Sequence, residues 1–483
     1  MPAAMDEAAP DWIENRPLAQ LRVGDEAAEA CRFGAQDAQA FAILAGDGEP
    51  AAEPGAAPAP TQAAAMWLAA RLAGLAAARL PGPGTGLLRQ ELEWTALPLA
   101  GEDVHLRLRV EAIHAEAAGG PQGVLAVRAQ GGDGRLLAAG RLWVRPPLEK
   151  LRRPRAHLPE LQLRDPGARL RALVAQAQAA LRARAGSPLP MAVVHPVDAV
   201  ALGGVAEAVA AGLIAPVLVG PAAIIRAAAA QAGIDLSAWP LQDAPDPEAA
   251  AAAAVALARS GRVHALMKGS LHTDALMHAV VDPQSGLRGE RRISHVFLID
   301  VVGWPRPLLL SDAAVNVLPD LAAKRDIVQN AIDLAHALGI AQPKVAILSA
   351  LETVTPKIPS TLEAAALCKM AERGQIAGGI LDGPLAFDNA VSLRAARTKG
   401  IASPVAGQAD ILVAPDLEAG NLLAKQLEYL AEAQLAGIVL GARVPVVLTS
   451  RADLPDARMA SAALAVLWAL AQDAAPAAGA APA

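Results

Sequence analysis

Met191-Ala-Val-Val-His195 is a short apolar run, a helical stretch from Asp198 to Ala211 follows it, and Pro216-Val-Leu-Val-Gly220 is apolar again. That alternation decides the fold of most of the chain. Ala222–Ala232 is again helical. The rhythm continues through Val263–Lys268, His295–Asp300, Lys344–Ser349, Gly378–Asp382, Asp410–Ala414 and Val444–Ser450. Apolar runs separated by amphipathic helices build α/β layers around a mostly parallel sheet.

Before residue 150 the pattern differs. Gly/Pro-rich stretches at 46–60 and 81–86 bracket a helical run from Gln62 to Leu80. Alternating segments follow at His105–Ile113, Gly123–Ala129 and Leu136–Val144, which read as antiparallel strands. A helix followed by a strand meander predicts an α+β domain over 11–148. Residues 149–165 are basic and Pro-rich and read as a linker. The α/β domain is expected over 166–471, opening on a helix at Leu170–Ala185. The Ala/Pro/Gly-rich residues 472–483 read as a disordered tail.

Bulk properties narrow the function. The 483 residues are 54% hydrophobic and 19% charged, enough for a sizeable core. A net charge of -6, with no Lys/Arg run along a backbone footprint, argues against nucleic acid. Charges or prolines interrupt every long apolar stretch, so no membrane span is expected. Cys31 and Cys368 form no disulfide framework or metal spacing, and residues 1–20 lack a secretory apolar segment. A reducing cytoplasm fits best, with no metal and no cofactor.

Ligands of open α/β sheets lie beyond the carboxyl ends of strands. That rule selects Lys268-Gly269-Ser270, Asp300, Ser311-Asp312, Ser349 with Glu352, Asp382-Gly383, Asp416 and Ser450-Arg451. The set is polar and poor in aromatics, which suits an anionic ligand. A glycine loop feeding a helix amino terminus near Thr273 offers N–H groups to an anion. The spacing of a Walker A loop is missing, and the glycines of 82–86 follow no strand. Arg451 suits bidentate phosphate binding, and the neighbouring Ser450 hydroxyl suits charge developing on a carbonyl oxygen. A surface turn with a capping serine has the same local pattern. His195, His264 and His295 lie in or beside strands without metal spacing and read as satisfied core residues.

The blocks Val194-His-Pro-Val-Asp-Ala-Val200, Ala265-Leu-Met-Lys-Gly269, Gly286–Val296, Asp320–Ala331, Ser349–Ala364, Asp382–Ala390, Ala414–Lys425 and Pro445–Asp453 follow one another with natural spacing. In that order they resemble the phosphate acetyl/butyryltransferase family. The resemblance implies a two-lobed α/β fold like that of isocitrate and isopropylmalate dehydrogenases, with the site between the lobes, and a homodimer or larger homo-oligomer. It implies exchange of a short acyl group, acetyl to butyryl, between coenzyme A (a substrate) and inorganic phosphate, giving acyl phosphate without an acyl-enzyme. Ser450 matches the serine that supports the transition state, and Arg451 the arginine that binds the acyl phosphate end. Asp453 and Asp456 both remain open as the base that takes the thiol proton. Lys268, Gly269, Ser270, Arg288, Asp382 and Asn421 are the expected substrate-binding residues. The acetyl branch carries arginines around the helix that here reads Thr273–Val280, and Arg288 with Lys268 is expected to supply that charge. This departure places the chain nearer the butyryl-type branch and the acyltransferase halves of fusions.

Asn15–Asp25 and Phe41–Pro50 resemble, more faintly, an (R)-specific enoyl-CoA hydratase of hot-dog fold. That family pairs Asp and His in Asp-x-Asn-Pro-x-His. Here Asp47 matches, but Glu49 stands at the Asn position and Ala52 at the His position, so the domain is expected to be inactive as a hydratase. Two alternatives are a bifunctional hydratase/acyltransferase and a non-catalytic CoA-binding regulatory module. A dehydrogenase of the same cleft fold lacks a nicotinamide fingerprint and a metal-binding acid cluster.

Overall fold

The computed structural model describes residues 12–46, 62–116, 119–154, 167–184, 186–448 and 455–474. The chain forms two compact units, Met1–Leu163 and Arg164–Ala483.

In the first unit the strands are β1 (Trp12–Glu14), β2 (Glu26–Arg32), β3 (Gly86–Trp94), β4 (Asp103–His114), β5 (Gln122–Gly131), β6 (Leu136–Arg145) and β7 (Arg152–Pro154). The helices are α1 (Ala35–Ala45) and α2 (Gln62–Ala78). Strands β2-β4-β5-β6-β3 make one antiparallel sheet. Trp67, Leu68, Leu72 and Leu75 of α2 are buried against Leu106, Leu108, Leu125 and Leu142 of that sheet. A sheet packed around one long apolar helix is the hot-dog arrangement. The alternating burial of β4 shows why its period-2 pattern was legible: inward Val104, Leu106, Leu108 and Val110 alternate with outward His105, Arg107 and Arg109. Strand β7 pairs antiparallel with β1, so the first residues of the expected linker are built into this unit.

The second unit has helices α3 (Ala168–Ala183), α4 (Ala199–Ala210), α5 (Ala222–Ala232), α6 (Pro247–Arg259), α7 (Thr273–Val281), α8 (Leu321–Ala337), α9 (Pro359–Glu372), α10 (Phe387–Val391), α11 (Leu393–Thr398), α12 (Leu417–Leu430) and α13 (Pro455–Ala474). Its strands are β8 (Leu189–Val194), β9 (Ile214–Gly220), β10 (Leu241–Asp243), β11 (Ala265–Lys268), β12 (Ser294–Asp300), β13 (Leu308–Ser311), β14 (Lys344–Leu348), β15 (Ile380–Leu385), β16 (Ile411–Val413), β17 (Gln434–Leu440) and β18 (Val446–Val447). They form one sheet in the order β10-β9-β8-β11-β18-β17-β12-β13-β16-β14-β15.

The two wings of this sheet, β10 to β18 and β13 to β15, are parallel within themselves. The centre is not: β18–β17, β17–β12 and β12–β13 are antiparallel. Three reversals between the wings leave them running in opposite directions. Their carboxyl ends therefore emerge from opposite edges of the sheet, which modifies the expected mostly parallel arrangement. Helix α13 covers the middle of the sheet, with Ala460, Ala463, Leu464 and Leu467 buried beside Ile438 and Leu440 of β17.

Candidate active site

Strands β8 and β11 end side by side, because Val194 pairs in parallel with Lys268. The chain then continues the ladder: the Gly269 N–H donates to Val194 O and the Ser270 N–H to His195 O. Gly269 is required at this turn. A Cβ there would stand 2.5 Å from Val194 O and 2.8 Å from Pro196 N, both rigid backbone atoms. On the other side β11 pairs with β18, Met267 opposite Val447. The chain leaving β18 is described to Leu448 and resumes at Pro455, the start of α13. Ser450, Arg451 and Asp453 lie in between, outside the described residues.

These elements surround a pocket lined by Lys268, Gly269, Ser270, Asp198, Gly204 and Arg458, among others. Helix α4 points its amino terminus here; Asp198 caps it, accepting from the Ala201 N–H at 2.8 Å. The Ser270 hydroxyl accepts from the Val197 N–H at 3.3 Å. Lys268 Nζ donates to the carbonyls of Gly269 (3.4 Å) and Leu271 (3.3 Å), which holds the ammonium at the mouth of the turn. Two cations, Lys268 and Arg458, and a helix amino terminus outweigh the single carboxylate of Asp198 around one cavity, an arrangement that suits phosphoryl oxygens.

The other expected residues are not brought to this pocket. Asp456 sits in the first turn of α13 and accepts from Arg171 Nη1 at 2.9 Å in a largely exposed ion pair, and it is not among the described lining residues. Arg288 lies on the loop after α7; its Nε donates to Val281 O, and its backbone bridges Ala442 between β17 and β18. That is the amino-end edge of β18 and β11, opposite the edge that carries Lys268, so the two cations do not act as one cluster at the end of β11. Asp382 is in the middle of β15, opposite Ala346, with its Oδ1 accepting from the Gly383 N–H at 2.8 Å. Burial, then the charges of Asp382 and Glu372, push the half-buried Cys368 thiol up to about 12, so it stays protonated at neutral pH. Asn421 stands on α12 and donates to Ala313 O at 3.2 Å, beyond the carboxyl end of β13. Asp47 lies outside the described residues.

The histidines differ from the expected satisfied core. His264 is exposed. His195 ends β8 at φ 55°, the left-handed region, and its buried Nδ1 has no partner among the described residues. Burial lowers its pKa. His295 is core, 2% exposed and edge-on to Phe297, yet its Nδ1 is also unpartnered. Burial brings its pKa down to about 4 against the opposing pull of Asp312, so the imidazole is neutral. Asp312 itself is buried and accepts from the backbone N–H groups of Ala314, Val315 and Asn316 and from Asn316 Nδ2. This network orders the chain after β13.

Sequence reasoning missed Asp198, Gly204 and Arg458 as lining residues. An arginine in a helix normally reads as a solvated face, and only tertiary packing shows otherwise.

Comparison with known proteins agrees with this architecture. Residues 246–466 match the model of the phosphate acetyl/butaryl transferase family. The phosphate acetyltransferase of Rhizobium meliloti is 63% identical over 287 residues, covering 59% of this chain and 91% of that protein. The phosphate butyryltransferase of Clostridium acetobutylicum is 42% identical over 270 residues, covering 56% of this chain and 90% of that one. A branched-chain phosphotransacylase structure from Enterococcus faecalis V583 aligns at TM-score 0.52 and 29% identity, covering 58% of this chain and 99% of that one. The chain belongs to the phosphate acetyl/butyryltransferase family. The higher identity is to a protein named for acetyl rather than butyryl transfer, contrary to the expected nearness to the butyryl-type branch.

Among the described residues no helix is long and apolar enough to cross a membrane.

Proposed function

We propose that the second unit reversibly transfers a short acyl group between coenzyme A and inorganic phosphate. The observation that carries this reading is the pocket at the ends of β8, β11 and β18, where Lys268, Ser270 and the α4 amino terminus come together at the end of the strand that Ser450-Arg451 follow in sequence. Family membership supplies the chemistry that such an anion site serves. In the direction of thioester synthesis, the CoA thiol loses its proton to a carboxylate and the sulfur attacks the acyl carbonyl. The C–O bond to phosphate then breaks, and phosphate leaves with the bonding pair. Arg451 and Lys268 neutralise the departing phosphate, and the Ser450 hydroxyl steadies the carbonyl oxygen.

The base is Asp453 in this reading, because Asp456 is engaged by Arg171 away from the described pocket wall. The site lies at the carboxyl ends of β8, β11 and β18, and the working enzyme is a cytoplasmic homodimer or larger homo-oligomer. The domain limits are 11–148, 149–165 and 166–471, with β7 of the middle segment paired to the first unit. The first unit lacks hydratase activity, because Ala52 stands where that family places its histidine. Incubating the purified chain with acetyl phosphate and CoA tests the reading: thioester must form, and its absence across short acyl phosphates leaves a non-catalytic CoA-binding module.

A further inference from the structure

Arg458 has an unusual position for a helix arginine. It is in the second turn of the segment Pro455–Ala474, half-buried, and it lines the pocket with Lys268 and Ser270. Among the described residues it makes no hydrogen bond or ion pair, and its Nε is buried without a partner. A buried guanidinium nitrogen left without an acceptor is costly, so the arrangement calls for an anion. Space for it is provided deliberately. The opposite wall is helix α4, which carries Gly203-Gly204 in its middle, where alanine would be the better helix former. A Cβ at Gly204 would stand 3.2 Å from Arg458 Nε and 3.3 Å from its Cδ. The missing side chain lets Cδ and Nε of the arginine lie close against α4 where it lines the cavity.

Resting on the acyl-transfer reading above, we infer that Arg458 is a further substrate-binding residue, which grips phosphoryl oxygens in the pocket together with Lys268. Phosphoryl oxygens are brought there by inorganic phosphate and by the phosphates of CoA. A planar, permanently charged fork fits either one and gives two parallel hydrogen bonds that lysine cannot.

The test uses the full chain carrying Arg458→Ala, Arg458→Lys or Gly204→Ala, with KM and kcat measured for phosphate and for acyl-CoA, and thermal melting with and without inorganic phosphate. Arg458→Ala raises at least one KM by roughly tenfold or more, as expected for losing a charge-assisted contact. A rise for phosphate assigns the fork to inorganic phosphate, and a rise for acyl-CoA assigns it to the CoA phosphates. Arg458→Lys recovers part of the loss. Gly204→Ala gives the same rise in KM without loss of thermal stability, because alanine favours the helix while its methyl displaces the guanidinium. Both KM values within twofold of wild type in a folded Arg458→Ala protein overturn the inference; should that variant not fold, unchanged constants in Gly204→Ala do so. If wild type shows no turnover at all, the acyl-transfer reading fails separately. Phosphate-induced stabilisation then decides: it is retained by wild type and lost in Arg458→Ala if the inference holds, and equal in both if it does not.

Discussion

Met267 and Val447 stand opposite each other in parallel register, and that pairing sets which strand ends lie side by side. One residue later on β11 comes Lys268, and shortly after β18 comes the Ser450-Arg451 segment. A parallel pair sends both chains out of the same sheet edge. Two stretches distant in sequence thus end at one sheet edge, where Lys268 lines the pocket.

The first prediction concerns Arg451. Arg451→Ala lowers kcat/KM by about a hundredfold or more, the scale for removing a charge-stabilising donor from the transition state. Far-UV circular dichroism stays unchanged. Near-normal turnover with acetyl-, propionyl- and butyryl-CoA refutes its role.

Paired variants separate the two candidate bases. Asp453→Asn removes a proton acceptor and lowers kcat by roughly a hundredfold or more. Asp456→Asn breaks only the largely exposed pair with Arg171, and kcat stays within about threefold because such pairs contribute little. The reverse ranking assigns the base to Asp456.

Gly269→Ala disrupts the turn beside Lys268. The added methyl meets Val194 O and Pro196 N, neither of which can move without breaking the β8–β11 ladder. A loss of about 1–3 kcal/mol in unfolding free energy is expected, read from urea titration. Wild-type stability shows instead that the turn relaxes freely.

His295 makes stability depend on pH in the mildly acid range. Its folded pKa is lowered to about 4, so the unfolded chain binds the proton more readily. The neutral buried form is fully stabilising above the unfolded value of about 6.5, and that contribution is lost as pH falls toward about 4, with a slope of up to about 1.4 kcal/mol per pH unit. Urea midpoints of wild type and His295→Gln from pH 4 to 8 check this. The variant shows a shallower decline, and equal slopes remove His295 from the account.

For the first unit, crotonyl-CoA hydration is expected at background for wild type and Asp47→Ala alike. A wild-type rate clearly above that of Asp47→Ala establishes a second activity.

Much of this was legible in the residues. Period-2 burial marks β4, and capping Asp198 starts its helix where the sequence signals it. Strand β2 was not legible, because Glu26-Ala-Ala-Glu-Ala-Cys-Arg32 alternates only alanine and cysteine against charge, a composition that equally suits a helix. The reversal at β17 and β12 was hidden too, since strand direction depends on partners far away in the chain. For that reason the carboxyl-end rule gathered Lys268 with Ser311, which the sheet places at opposite edges. Arg458 was invisible for a similar reason: its meaning depends on Gly204, more than two hundred residues earlier. The family blocks overcame much of this, because their order carries tertiary information that local patterns lack.

The most direct test of the account is release of free CoA thiol from acetyl-, propionyl- and butyryl-CoA by the purified chain, with and without phosphate. We expect release that saturates with phosphate and vanishes without it for at least one of the three. Thiol release that ignores phosphate, or none with any of them, contradicts it.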